Sequence, residues 1–152
     1  MIKIFKFTIL IFYTSLLISC GFSPMYKNIE TLDISITSEA TSGNREINNI
    51  IKSNLKVYDV NNAAKKYEVL FNSEYEKITI AKNTTGAATE YKLVVKANFI
   101  INSKEYKFKE TFNMKSMSDK IEEQDYEKNI KKSLTNIITR KLITQISQLN
   151  DN

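Results

Sequence analysis

Two glutamates placed two positions apart come nearest in this sequence to a pair that could perform acid–base chemistry. Glu74 and Glu76 lie in a segment whose apolar residues alternate, so their side chains share one face of a predicted strand. Two close carboxylates can divide the roles of general acid and general base. Lys77 and Lys82 flank the pair, however, and no neighbouring pattern indicates a pocket. The sequence therefore favours a solvated, charge-bearing strand face at this position.

A second group of acidic residues lies close to the C-terminal third of the chain. Asp119, Glu122, Glu123 and Asp125 follow one another closely. Such a density of oxygen ligands can bind calcium, but the spacing lacks the central glycine and the ligand order of an EF-hand loop. The cluster stands at the start of a long segment with helical periodicity, where acidic side chains interact favourably with the helix dipole. We expect no metal site here and no cofactor.

The residue types that are missing exclude several classes of enzyme. The chain has 152 residues, no histidine, one cysteine and three glycines. Without histidine or a second cysteine, it can build neither a Cys/His zinc site nor a His-dependent catalytic triad. Three isolated glycines cannot form a glycine-rich phosphate loop. The composition therefore predicts a protein that is not an enzyme.

The N-terminus has the organisation of a secretory leader. Lys3 and Lys6 precede an uncharged apolar run over residues 7–18. A run of this length is too short for a membrane-spanning helix and is typical of a signal peptide. We therefore interpret residues 1–19 as a signal peptide of the lipoprotein type.

The only cysteine stands at the end of this leader. Residues 17–20 read Leu-Ile-Ser-Cys and fit a lipobox, which predicts that Cys20 is the acylated first residue of the mature chain. Two or more acyl chains would hold the protein stably on a membrane. The alternatives are an uncleaved membrane anchor, or a leader cut after Ser19 that leaves a free thiol. Gly21 follows the cysteine, in place of the aspartate that retains many lipoproteins in the inner membrane, which favours the outer membrane.

The residues that begin at this cysteine carry a family resemblance. Residues 20–26 read C-G-F-S-P-M-Y and resemble the C-G-F-x-P-L-Y start of the LPS-assembly lipoprotein family, LptE. Met25 replaces the usual leucine, which is a volume-conserving change. The order of elements and a long C-terminal helix extend the resemblance over most of the mature chain. Glu90 stands where relatives often carry the arginine of a Thr-Arg pair, so no role is carried over to it.

The resemblance implies a function that needs no catalysis. A member of this family would be a lipid-anchored protein on the periplasmic side of the outer membrane. Its partner would be the outer-membrane β-barrel LptD, and it would assist both the assembly of that barrel and the insertion of lipopolysaccharide into the outer leaflet. The alternative is a small periplasm-facing lipoprotein that acts as an envelope scaffold or lipid-binding module without a barrel partner.

Hydrophobic periodicity indicates the elements that would position these residues. Alternation of apolar residues predicts four strands, and apolar residues three and four positions apart predict two helices. The predicted strands cover residues 32–37, 67–75, 91–101 and 106–114, and the predicted helices cover residues 45–58 and 118–149. This order, β-α-β-β-β-α, predicts an α+β fold, a two-layer sandwich in which two helices cover one face of a mostly antiparallel four-stranded sheet.

Turns and breaks delimit these elements. Residues 38–44 are small and polar and predict a loop, in which Ser42 or Asn44 can cap the first helix. Ile78 and Ile80 are out of phase with the preceding strand, which predicts a bulge, twist or break between Tyr75 and Ile78. Residues 102–104 have the length of a hairpin connection.

The domain boundaries follow from the same pattern. We expect a lipidated tether over residues 20–29, a single α+β domain over residues 30–149 and a tail over residues 150–152.

Lysines along the strand region are the candidates for ligand contacts. Several of them could contact the anionic phosphates of lipopolysaccharide, although ordinary surface charge is the alternative. The candidates are Lys77, Lys82, Lys92, Lys96 and Lys104. The mature chain holds 20 basic and 17 acidic residues, a mild surplus that permits such contacts without requiring them. We expect no binding to nucleic acid, because an exported chain is removed from its usual targets and no recognition module is visible.

Overall fold

The computed structural model describes residues 34–150 and contains six elements in the predicted order. They are β1 (Ile34–Gly43), α1 (Arg45–Lys56), β2 (Lys65–Lys82), β3 (Ala88–Ile101), β4 (Lys104–Lys115) and α2 (Lys120–Asn150). The expected leader, the acylated Cys20, the tether, the start of the first predicted strand and the last residues of the expected tail lie outside the described residues.

The four strands form one sheet in the order β1-β2-β3-β4. β2, β3 and β4 are antiparallel neighbours, whereas β1 runs parallel to β2. The parallel pair arises because α1 connects β1 to β2 as a crossover, while short turns join the later strands. The predicted α+β sandwich is confirmed, with a mixed sheet.

The hydrophobic core lies between the sheet and the two helices. Alternate residues of β3 face the helices, and Leu93, Val95 and Phe99 are fully buried there. From α1, Ile47 and Ile51 pack against this layer without exposed surface. The core residues of α2 are Leu134, Ile138, Leu142 and Ile146. One face of the sheet is thus covered by helices. No helix within residues 34–150 covers the opposite face, which we call the uncovered face.

The connection between β3 and β4 is a two-residue hairpin turn. Ile101 pairs with Lys104, so only Asn102 and Ser103 lie between the strands. Their φ angles are 50° and 64°. Positive φ at both central positions defines a type I′ turn, whose twist matches that of the flanking strands.

The segment expected to be a loop after β1 is part of the strand. Residues 38–43 continue to pair with β2, with one irregularity between Ala40 and Ser42. Thr41 Oγ1 also donates a hydrogen bond to the carbonyl oxygen of Phe71 at 3.0 Å. The loop prediction was wrong because these small polar residues lie at a sheet edge, where backbone pairing does not require apolar side chains.

α1 begins at the cap that the sequence offered and ends two residues earlier than predicted. The side chain of Asn44 accepts a hydrogen bond from the backbone N–H of Ile47 at 3.1 Å, which identifies Asn44 as the N-cap. Tyr58 has left the helix, and its carbonyl oxygen accepts a hydrogen bond from Ile36 N–H at 3.0 Å. The first helix is thereby tied to the start of β1.

The expected irregularity in β2 occurs later than predicted. Pairing with β3 runs unbroken from Tyr75 to Thr79, and the register shifts follow at Ala81 and Lys82. The strand therefore keeps its phase at Ile78, whose side chain is on the uncovered face and is 43% exposed. An exposed isoleucine, rather than a bulge, explains the change in the hydrophobic pattern.

Both helices run in the same direction relative to the sheet. Lys131 of α2 forms a salt bridge with Glu46 near the start of α1 at 2.7 Å. Further along both helices, Asn54 donates a hydrogen bond to Asn136 at 2.8 Å. We call the end of the domain where β1 and β2 begin the proximal end, and the end that holds the turn at residues 83–87 the distal end.

Candidate functional site on the uncovered face of the sheet

The centre of the uncovered face is a lysine held by two glutamates. Lys96 of β3 is directly opposite Glu74 of β2 in the register, and its Nζ contacts Glu74 Oε2 at 3.4 Å and also Glu76 Oε1. The hydrogen bond from Lys96 lowers the pKa of Glu76, and the same bond raises the pKa of Lys96. Both glutamates thus contact one cation, and their geometry is that of a surface charge network rather than an acid–base pair.

The neighbouring strand adds positive charge beside this network. Lys109 of β4 is directly opposite Lys96 in the register. Like charges in that position repel each other, and the two glutamates on the other side of Lys96 offset the repulsion. Within residues 34–150, Lys109 makes no salt bridge, although its charge also helps to lower the pKa of Glu76.

A shallow cavity of about 370 Å³ lies next to these residues. Lys107 forms a salt bridge with Glu105 at 2.9 Å, and the amide nitrogen of Asn98 donates to the same glutamate at 2.6 Å. The amide oxygen of Asn98 has no hydrogen-bond partner. The walls of the cavity therefore carry both signs of charge, beside the apolar side chains of Ala97 and Phe108.

The five lysines expected to contact phosphates do not form one site. Lys92 and Lys96 share the uncovered face, four positions apart on β3. Lys82 ends β2 near the distal turn. Lys104 lies at the opposite end of the sheet, with its Nζ 5.4 Å from the centre of the Tyr106 ring. Only the first two are thus neighbours on one surface.

Lys77 points in the opposite direction, towards the helices. Its Nζ contacts Glu127 Oε2 at 2.8 Å and Glu123 Oε1 at 3.2 Å. It also lies 4.1 Å from the centre of the Tyr91 ring. Burial alone would lower the pKa of Lys77, but the bonds to Glu127 and Glu123 outweigh it and raise the pKa. This lysine is occupied within the fold.

The alternation of apolar and polar residues along each strand indicates which lysines face the helices and which lie on the uncovered face. Lys77 has the parity of the buried residues Phe71 and Ser73, whereas Lys107 and Lys109 have the parity of the polar side of β4. Lys107 and Lys109, which belong to the uncovered face, were not among the five candidates.

The acidic cluster at the start of α2 serves the fold. The side chain of Asp119 accepts hydrogen bonds from the backbone N–H groups of Ile121 at 2.7 Å and Glu122 at 3.2 Å, as an N-cap does. Among residues 34–150, no group of three acidic, histidine or cysteine side chains is placed to hold a metal ion. Helix capping therefore accounts for Asp119.

Glu123 of the same cluster is a buried carboxylate that serves as a hydrogen-bond acceptor. Its Oε2 accepts from Met117 N–H and from the Ser116 hydroxyl, both at 2.9 Å. Lys120 contacts the same oxygen at 3.0 Å, and Lys77 contacts the other. The backbone bond from Met117, followed by the side-chain donors, lowers the pKa of Glu123 from 4.5 to about 2 despite its burial. A carboxylate held ionised in this way joins the sheet to the helix.

Tyr75 and Glu127 complete the same contact between β2 and α2. The Tyr75 hydroxyl donates to Glu127 Oε1 at 2.6 Å. Burial, together with this bond to a carboxylate, raises the pKa of Tyr75. Burial would also raise the pKa of Glu127, but hydrogen bonds from Lys77 and Tyr75 lower it. Tyr75, Lys77 and Glu127 are thus mutually paired between β2 and α2.

Within residues 34–150, no helix has both the length and the apolar character needed to cross a bilayer.

The fold matches solved structures of bacterial lipoproteins. The rare lipoprotein B from Shewanella oneidensis aligns with a TM-score of 0.56 and 12% identity, over 76% of this chain and 98% of that one. An uncharacterized lipoprotein B from Nitrosomonas europaea aligns with a TM-score of 0.57 and 14% identity, over 79% of this chain and 88% of that one. At such low identity, the similarity establishes a shared fold.

Comparison at the level of sequence adds no relative. A scan against protein-family models finds no match, and a search of the curated proteins finds none either.

Proposed function

We propose that this protein is a non-enzymatic lipoprotein of the outer membrane, anchored through acylated Cys20 on the periplasmic side. In this proposal it belongs to the LptE type and partners an LptD-type β-barrel. It assists the assembly of that barrel and the insertion of lipopolysaccharide into the outer leaflet.

One combined observation carries the proposal. The heptapeptide C-G-F-S-P-M-Y begins at the cysteine that ends the leader, and the domain that follows has the fold of the rare lipoprotein B structures. The heptapeptide and the backbone architecture are independent features of the chain. Their occurrence together supports the family more strongly than either does alone.

The uncovered face supports a role inside a barrel. Charged and amide side chains occupy its centre, with Glu74, Lys96 and Lys109 in adjacent register positions. A surface of this composition is compatible with the polar, water-filled interior of an outer-membrane barrel. The core between sheet and helices would make the domain a rigid plug.

Lys92 and Lys109 are the best candidates for contacts with lipopolysaccharide phosphates. Both are exposed, and neither forms a salt bridge with any residue in the range 34–150. Lys96 is a weaker candidate because Glu74 and Glu76 already balance its charge. Lys77 is removed from the set because it pairs with α2.

The engagement of the carboxylates supports a protein without catalysis. The most buried one, Glu123, is held ionised by hydrogen bonds, and Glu127 pairs with Lys77 and Tyr75. A general acid or base must instead exchange its proton near the working pH.

The anchored state can be tested on the native protein. We expect the intact mass of the chain purified from membranes to equal that of residues 20–152 plus a diacylglyceryl group and an N-acyl chain. The protein should float with outer-membrane fragments in a density gradient. A Cys20→Ala control should lose the added mass and leave the membrane fraction. An unmodified native Cys20 would contradict the anchor.

A further inference from the structure

We propose that a lysine-rich surface at the proximal end rests on anionic lipid headgroups. This surface, which we call the proximal surface, is formed by Lys52, Lys56, Val57, Val60 and Lys66. The orientation rests on the proposed anchor at Cys20, whereas the chemistry of the surface depends on the described domain alone.

The residues of this surface meet where the chain enters the sheet. Ile34 pairs with Lys65 and Ser35 with Lys66, so the starts of β1 and β2 are adjacent. The hydrogen bond from Ile36 N–H to the Tyr58 carbonyl brings the end of α1 to the same place. The segment after α1 is therefore fixed beside the first residues of β1.

Two aliphatic side chains project from this segment. Tyr58 is only 8% exposed, but Val57 and Val60 on either side of it are 69% and 51% exposed. Exposed aliphatic groups beside lysines suit a membrane interface, where they can enter the headgroup layer while the ammonium groups remain in water.

The segment that carries this surface is basic. Residues 52–66 contain four lysines and one aspartate, a surplus of three positive charges. An anionic membrane attracts a local surplus of this kind.

The length of chain before β1 limits how far this surface can lie from the anchor. Cys20 and Ile34 are 14 positions apart, and a chain of that length reaches at most about 50 Å. The distal end lies about 55 Å from the proximal end, because the 18 residues of β2 each advance about 3.3 Å. Electrostatic attraction decays over about 8 Å at physiological ionic strength, so a domain that rests on its proximal surface keeps its distal lysines beyond the reach of the membrane charge.

The sequence contains no tryptophan, so a single introduced tryptophan can report contact with lipid. We would reconstitute the full mature chain carrying Val60→Trp into vesicles of phosphatidylethanolamine and phosphatidylglycerol with brominated acyl chains. A matched Ile121→Trp chain serves as the control, because Ile121 is 74% exposed near the distal end. We expect quenching of at least about threefold at position 60 and almost none at position 121. Equal quenching at both positions, or none at position 60, would overturn the proposal.

A second experiment separates this surface from the anchor. The unacylated mature chain, made with Cys20→Ser, should bind phosphatidylglycerol vesicles more tightly than zwitterionic ones. Lys56→Glu together with Lys66→Glu should weaken that binding about tenfold or more, since each lysine near an anionic surface contributes about 1 kcal/mol. The control Lys128→Glu with Lys132→Glu makes the same change in net charge on α2 and should bind like the parent chain. If both pairs of substitutions weaken vesicle binding equally, the proposal that the proximal surface binds the membrane is wrong.

The two proposals then fail separately. An unmodified native Cys20 with quenching at position 60 would remove the anchor and leave the surface. An acylated Cys20 without quenching at position 60 would confirm the anchor and contradict the proposed membrane contact of the proximal surface.

Discussion

At the scale of single residues, Glu123 is a buried carboxylate that stabilises the fold by accepting hydrogen bonds. It is 5% exposed and accepts hydrogen bonds from a backbone amide, a hydroxyl and two ammonium groups. Replacing such a group with a neutral one leaves buried donors without a charged acceptor.

We therefore expect Glu123→Gln to lower the free energy of unfolding by about 1–3 kcal/mol at pH 7. Chemical denaturation followed by circular dichroism measures this difference. Glu122→Gln, on the exposed side of the same helical turn, is the control and should change stability by less than about 0.5 kcal/mol. Equal effects of the two substitutions would contradict the role given to Glu123.

The same residue predicts a dependence on pH. Folding lowers the pKa of Glu123 from 4.5 to about 2, so ionised Glu123 stabilises the native state fully above the unfolded pKa. That contribution is lost as the pH falls from about 4.5 towards 2. Unfolding curves of the parent chain and of Glu123→Gln should converge over this interval. A gap that stays constant down to pH 2 would show that folding does not lower the pKa of Glu123.

Gly43 is a second residue whose identity the backbone requires. It has a φ of +106°, and a Cβ added there would overlap the backbone of Ser73. Gly86 has a φ of +85° but has open space around it. We expect Gly86→Ala to cost about 1–2 kcal/mol for the left-handed conformation, and Gly43→Ala to cost more than about 3 kcal/mol because β1 and β2 must separate. Thermal unfolding measures the stability of both variants. Equal losses of stability would mean that the close approach of Gly43 to Ser73 carries no energetic cost.

The sequence pattern reveals part of this residue-level organisation. Alternation places Lys77 on the buried side of β2, since Lys77 has the parity of Phe71 and Ser73. It does not reveal the partners, because Glu123 and Glu127 are about fifty positions away and reach Lys77 only when α2 packs on the sheet. The role of Gly43 was hidden for a similar reason: the polar residues around it suggested a loop.

At the scale of elements, α2 depends on the cap at its first turn. The helix begins after Asp119, whose side chain accepts the N–H bonds of Ile121 and Glu122. We expect Asp119→Ala to destabilise the domain by about 1 kcal/mol, whereas Asp119→Asn should retain most of the stability because asparagine caps equally well. Urea unfolding measures both. If the asparagine variant loses as much as the alanine variant, the charge rather than the cap is responsible.

Elements with a strong periodic signal were predictable from the sequence. Ile47, Ile51 and Leu55 of α1 face the hydrophobic core, as their spacing indicates. Residues 102–103 form the expected hairpin turn. The parallel pairing of β1 with β2 was not predictable from the sequence, because strand direction depends on the path of the crossover helix. The unbroken phase of β2 at Ile78 also escaped the pattern, since an exposed isoleucine looks the same in sequence as a strand bulge.

At the scale of the whole molecule, the proposed function assigns an anionic ligand to the uncovered face. Exchanging Lys92→Glu and Lys109→Glu together should weaken binding of purified lipopolysaccharide by about tenfold or more, because surface lysines contribute about 1 kcal/mol each to binding anionic lipid. Displacement of a fluorescent lipopolysaccharide probe measures the change. Lys128→Glu with Lys132→Glu alters net charge equally on the helical layer and should leave binding unchanged. Equal weakening by the two pairs would mean that net charge, rather than this face, attracts the ligand.

The central claim is that the protein works as the partner of an outer-membrane barrel. Affinity purification of the full-length lipoprotein from detergent-solubilised outer membranes, followed by mass spectrometry, tests it most directly. The account predicts one large β-barrel of the LptD type in roughly equal amount to the lipoprotein, retained through washes at high salt. Recovery of the lipoprotein alone would contradict the account and favour a scaffold or lipid-binding role without a barrel.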